Sequence, residues 1–116
     1  MAPTRLTAFN KTRAQAVASQ VVLADTPWTR AKGLLGRASL AREEGMWIVP
    51  CAMIHMIGMR FAIDAVFLDR GLRVLKVSRG LRPWRLSPWV LSAHSVLELS
   101  EGAAAGIEPG HVLELR

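Results

Sequence analysis

The sequence predicts a mainly β protein: a compact antiparallel β-sandwich or barrel-like single domain with two short helices. Three observations point there. At 116 residues, 51% of them hydrophobic, the chain can bury one core without disulfide or metal staples. Its apolar residues fall in short runs bounded by Gly, Pro and Asp rather than in long helical periods. The run 62-AIDAVFL-68, followed by Asp69-Arg70-Gly71, reads as a strand entering a tight hairpin.

Taken in order, residues 1–19 carry no assigned element, and 20–116 read as one β-rich domain. Val21-Val22-Leu23 is the first strand. Thr26 then suits a helix N-cap, with Pro27 at the first helical position, where its missing N–H costs nothing. Trp28, Ala31, Leu34 and Leu35 share one face of that helix, which Gly33 or Gly36 ends. Met46 to Val49 is a buried strand stopped by Pro50. After the Asp69-Arg70-Gly71 turn the chain returns through Leu72 to Val77. Its apolar phase shifts there, from Leu72 and Val74 to Leu75 and Val77, as a β-bulge or two-sided burial would require.

Pro83 and Pro88 make 81-LRPWRLSPW-89 irregular. The echo between 94-HSVLELS-100 and 111-HVLELR-116 reads as two more strands. Between them Ser100 caps a helical turn through Ala103 to Ala105, and Pro109-Gly110 supplies a turn. The count is about six strands and two short helical pieces.

Composition narrows the setting. No apolar run is long enough for a membrane span, so no membrane partner is expected. The single cysteine precludes an internal disulfide and fits a reducing cytosol. Ala14 to Ala24 is broken by Gln15, Ser19 and Gln20, so it does not read as a secretory signal. The formal charge of +6 is concentrated in Arg70, Arg73, Lys76, Arg79, Arg82 and Arg85. With Trp84 and Trp89 interleaved, the residues Arg79, Arg82, Trp84 and Arg85 form a candidate nucleic-acid surface. A period of three on a strand alternates faces, so only weak binding is expected.

The richest stretch is 51-CAMIHMIGMRFAID-64. As a strand it aligns Cys51, Met53, His55, Ile57 and Met59; as a helix it aligns Cys51, His55 and Met59. Thiolate, imidazole and thioether suit copper. One thiol and one imidazole on a single segment nevertheless make an incomplete shell, so no metal is expected. Cys51, His55 and Asp64 can also be drawn as a nucleophilic set, although no oxyanion loop or cysteine signature surrounds them. Asp64 lies in a strand with no other charge. A carboxylate facing inward there requires a partner: Arg60, His55 or backbone N–H groups.

Four blocks, 30-RAKGLLGR-37, 45-GMWIVP-50, 55-HMIGMRFAIDAVFLD-69 and 97-LELSEGAAAGIEPGH-111, resemble the widespread prokaryotic family called domain of unknown function 192. The resemblance spans about residues 20 to 116. It implies a compact β-structure with short helices, and no agreed activity, substrate or cofactor. The matching positions are Arg30, Gly33, Leu34, Arg37, Gly45, Met46, His55, Met59, Asp64 and Gly106. The chain departs from the pattern at Ala62, where proline is favoured, and at Met56, where threonine or another polar or aromatic residue is common. Both changes make the 55–64 corner less polar and less rigid.

The function expected from these readings is a small cytosolic binding or accessory module without a cofactor. Its small-ligand or protein partner would meet a shallow site of His55, Met59, Arg60 and Asp64, with Arg30 or Arg37 from the first helix. Nucleic-acid binding through the Arg/Trp surface is one alternative. An enzyme using Cys51, His55 and Asp64 is the other.

Overall fold

The computed structural model describes residues 4–116. It begins with a hairpin in which β1 (Arg5–Asn10) turns back into β2 (Gln15–Ala24). Both elements begin inside the 1–19 segment to which the sequence assigned none; Met1 to Pro3 lie outside the described residues. The β1·β2 ladder carries two register shifts. They break the period of two, so Ala8, Val17, Ala18 and Val21 all reach the core although their sequence spacing does not alternate.

Helix α1 (Pro27–Lys32) starts as expected. Thr26 accepts from the Thr29 N–H, and the Thr29 hydroxyl accepts in return from the Thr26 N–H. It ends at Gly33, one of the two glycines expected to stop it, which takes a positive φ of 49°. Leu34 is therefore buried from beyond the helix, and Trp28, expected on the inner face, is 75% exposed. β3 (Glu44–Ile48) then pairs parallel with β2, which makes β2-α1-β3 a small crossover within a mainly antiparallel sheet.

β4 (Ile63–Leu68), β5 (Val74–Leu81), β6 (Ser95–Ser100) and β7 (Leu113–Leu115) complete one curled seven-stranded sheet in the order β5-β4-β6-β3-β2-β1-β7. The ends of the curl meet where Arg73 and Val112 bridge, with Val74 N–H donating to His111 O and Leu113 N–H to Leu72 O. The result is the barrel-like β class that the strand count predicts.

Central strands β4 and β6 are buried along their whole length, on both faces. Val66, Leu68, Leu97 and Leu99 point into the curl. Ile63, Ala65, Phe67 and Val96 point outward, beneath Leu34, Ile54, Met56 and Met59. The outer cover comes from segments 49–62 and 82–94. These two pair irregularly: Met56 N–H donates to Arg85 O, Trp84 N–H to Met56 O and Ser87 N–H to Ile54 O. The sulfur-rich stretch is thus neither strand nor helix, with only His55 bridging to Leu86.

The bulge anticipated in the strand after Asp69 is present. Phe67 faces Lys76 while Leu68 faces Val74, so Leu75 is the extra residue. A second irregularity opposes Ile63 and Ala65 to Leu81 and Ser78 and leaves Arg79 and Gly80, the latter at φ 62°, without register partners in β4. The expected second helix is absent. Residues 101–106 form successive turns instead, because the Gly102 and Ala104 N–H groups donate to the Asp64 carboxylate rather than organising a helix.

Candidate functional site

The crossover α1 and the 50–59 segment both lie over the outer face of the sheet. They leave between them a cavity of about 330 Å³. Its walls include Pro27, Ala31, Leu34, Ile54 and Met59, with Arg30 and Lys32 from the helix and Cys51 and His55 from the loop. Its one acidic residue is Glu98 of β6.

Glu98 follows from strand alternation. Leu97 and Leu99 point into the curl, so Glu98 points out of it, facing Met46 of β3 and Ala65 of β4 across the ladders. It is 5% exposed, and its Oε1 has no hydrogen-bond partner among the described residues. Burial pushes its carboxyl up to about 7, because desolvation disfavours the charged form. Arg30 presents the complementary case. One terminal nitrogen, Nη1, donates to Pro50 O at 3.4 Å, while its Nε is buried without a partner among the described residues. The pocket therefore joins an unmet acceptor and an unmet donor, an arrangement that folded proteins rarely leave unsatisfied.

Of the residues singled out in the sequence, His55, Met59 and Arg30 line this cavity. Arg60 is exposed and is not among its walls. Arg37 is engaged at the surface, where its Nη2 meets Glu44 Oε1 at 3.0 Å. The Ala41 N–H, and then Arg37, hold the Glu44 carboxyl below the usual range. Asp64 belongs to the inner face of the sheet, opposite Leu99. It accepts from Gly80 N–H at 2.9 Å and from Gly102 and Ala104 N–H at 3.0 Å each.

Cys51, His55 and Asp64 are consequently not brought together. Cys51 donates its S–H to Met53 O, and burial raises its thiol above the ordinary value. Among the described residues no cluster of three His, Cys, Asp or Glu side chains could hold a metal ion.

Sequence reasoning passed over Glu98. Its signal was the same as that of Asp64, a lone carboxylate in an apolar strand, here 95-SVLELS-100. In the echo with 111-HVLELR-116 the residue read only as part of a strand.

The basic surface is divided. Arg79 donates to the carbonyls of Ala104 and Ile107 and pairs with Glu108 at 3.5 Å, so it braces the 101–108 turns. Arg82 and Arg85 are exposed on the 82–94 segment beside Trp84 and Trp89, which are 68% and 66% exposed. No helix among the described residues is long and apolar enough to cross a membrane.

Comparison with known proteins agrees with the fold. The model of the family DUF192, described as an uncharacterized ACR, matches residues 8–115. A UPF0127 protein of Thermococcus sibiricus is 35% identical over 82 residues, covering 66% of this chain. The matched region is 52% of that relative, so the chain spans about half the length of the relative it matches. A crystal structure of a protein of unknown function from Novosphingobium aromaticivorans superposes with a TM-score of 0.82 at 29% identity, covering 97% of this chain and 84% of that one. A Sinorhizobium meliloti 1021 protein, named as a proposed transcription regulator, gives a TM-score of 0.82 at 24% identity, covering 98% and 94%. That likeness is one of fold.

Proposed function

The chain belongs to the DUF192 family, and we propose from its pocket that it is a binding or accessory module for a small organic ligand. The observation that carries this reading is the Glu98 carboxyl, buried and unpartnered against a cavity of about 330 Å³. That volume lies at the lower end of the range for ligand pockets, which are mostly apolar with a few convergent polar groups. A carboxyl held only for stability would be bonded, as Asp64 is. A cytosolic setting is part of the same reading, supported by the single, disulfide-free Cys51.

The test is a fragment library screened by NMR against the native protein and Ala31→Trp, which fills the cavity from an exposed helix position. Hits are expected to shift Gly33, Ile54 and Met59 resonances and to lose binding in the variant. A library that never perturbs those residues, or hits indifferent to Ala31→Trp, would overturn the reading.

A second reading rests on Trp84 and Trp89 standing exposed beside Arg82 and Arg85 on one segment. Aromatic faces stack bases and arginines meet phosphates, so this surface supports weak, sequence-blind binding of single strands. Fluorescence anisotropy with single-stranded RNA is expected to show binding that falls with added salt and weakens in Arg82→Ala/Arg85→Ala. Absence of binding at low salt, or indifference to the double substitution, rules it out.

A further inference from the structure

We infer that the pocket takes a free apolar α-amino acid, with its ammonium on Glu98, its carboxylate on Arg30 and its side chain against Leu34, Ile54 and Met59. This inference rests on the reading of the cavity as a ligand site and names the ligand class. Three features of the pocket select it.

The first is the pairing of unmet groups. Glu98 Oε1 and Arg30 Nε are buried without partners among the described residues, and both side chains belong to residues that line one cavity. A ligand that satisfies both must carry a donor and an acceptor of its own. The second is charge. Arg30 and Lys32 from α1 line the cavity and repel a ligand bearing only an amine, while ionised Glu98 repels one bearing only a carboxylate. A zwitterion complements both ends, and the Arg30 guanidinium suits carboxylate geometry. The third is size. At roughly 30 Å³ per water-sized group, about 330 Å³ admits a molecule of the dimensions of leucine or methionine. Leu34, Ile54 and Met59 supply an apolar stretch of wall beside His55 and Cys51.

The neighbourhood of Glu98 sets a pH signature. Arg30 and Lys32 approach from the helix and Cys51 and His55 from the 49–62 segment, while its strand partners Met46 and Ala65 carry no charge. With its carboxyl raised to about 7, Glu98 must release a proton to receive an ammonium group. Affinity for the zwitterion should therefore rise about tenfold between pH 6 and pH 8.

Isothermal titration of the full chain with L-leucine, L-methionine and L-phenylalanine tests this, alongside isopentylamine and 4-methylpentanoate as the two half-ligands. Expected are binding of at least one amino acid, a loss of about tenfold or more for each half-ligand, and a similar loss in Glu98→Gln and in Arg30→Met. Circular dichroism establishes that both variants are folded. If other fragments occupy the cavity but no amino acid does, or if amino-acid affinity is unmoved by Glu98→Gln and by pH, the inference fails and the small-ligand reading stands. If nothing binds there, both fail.

Discussion

Asp64→Ala is expected to lower the melting temperature by roughly 12–20 °C. The carboxylate is 1% exposed and accepts from three backbone N–H groups, those of Gly80, Gly102 and Ala104. Truncation leaves those donors without their acceptor. Each unsatisfied group costs about 1–3 kcal/mol, and such costs do not add fully, so a loss of about 3–5 kcal/mol follows. For a domain of this length each kcal/mol moves the midpoint by about 4 °C. The three donors belong to the β5 irregularity at Gly80 and to the 101–106 turns, so one side chain ties two distant segments to β4.

Asp64→Asn sharpens the test. Turned with its oxygen toward Gly102 and Ala104, the amide keeps two bonds and sets its own N–H₂ against the Gly80 N–H. About half of the loss should return. An arginine partner would leave Asn no better than Ala. Thermal melts in which Asp64→Ala is as stable as the native chain would refute the structural assignment.

The second large effect is at Glu98 and depends on pH. In the unfolded chain this carboxyl titrates near 4.5, and in the folded chain burial raises it to about 7. A group raised on folding contributes its stability fully below the unfolded value and loses it as pH rises through the folded one. Native stability should thus decline between about pH 4.5 and pH 7, by an amount on the order of 3 kcal/mol at completion. Glu98→Gln is close in shape and does not titrate, so it escapes this loss. The variant's stability advantage should therefore grow by about 2–3 kcal/mol between pH 5 and pH 8. Urea unfolding at the two pH values measures it. A gap that stays constant, or narrows as pH rises, would show that Glu98 is already charged and compensated in the folded protein. A ligand supplying an ammonium group would shrink the native protein's penalty in the same experiment.

Legibility followed the range of the interactions involved. The β4 strand and its turn could be read because their pattern is local: continuous apolar residues, then Asp69 accepting from Gly71 and Arg73 N–H. The Thr26 cap and the Leu75 bulge were visible for the same reason. The β1·β2 hairpin was not, because its register shifts break the period of two. The helical turn expected at Ala103 failed because its N–H groups answer to Asp64, about 40 residues earlier in the chain.

The β class, the helix start, the Asp69 turn and the requirement that Asp64 be partnered all follow from local pattern. Each of these depends on near neighbours or on the cost of burying an isolated charge. Long-range packing sets what the polar residues do. It gave Asp64 three backbone donors on the inner face, turned Arg60 to solvent and committed Arg37 to Glu44. It also set Glu98, which looks in sequence like an equivalent of Asp64, on the outer face against a cavity shared with Arg30 and His55. The reason is geometric. Both carboxylates sit in apolar strands buried on both faces, and strand alternation sends one inward toward N–H groups of the Gly80 irregularity and the 101–106 turns, the other outward toward a helix and loop that provide it no bond.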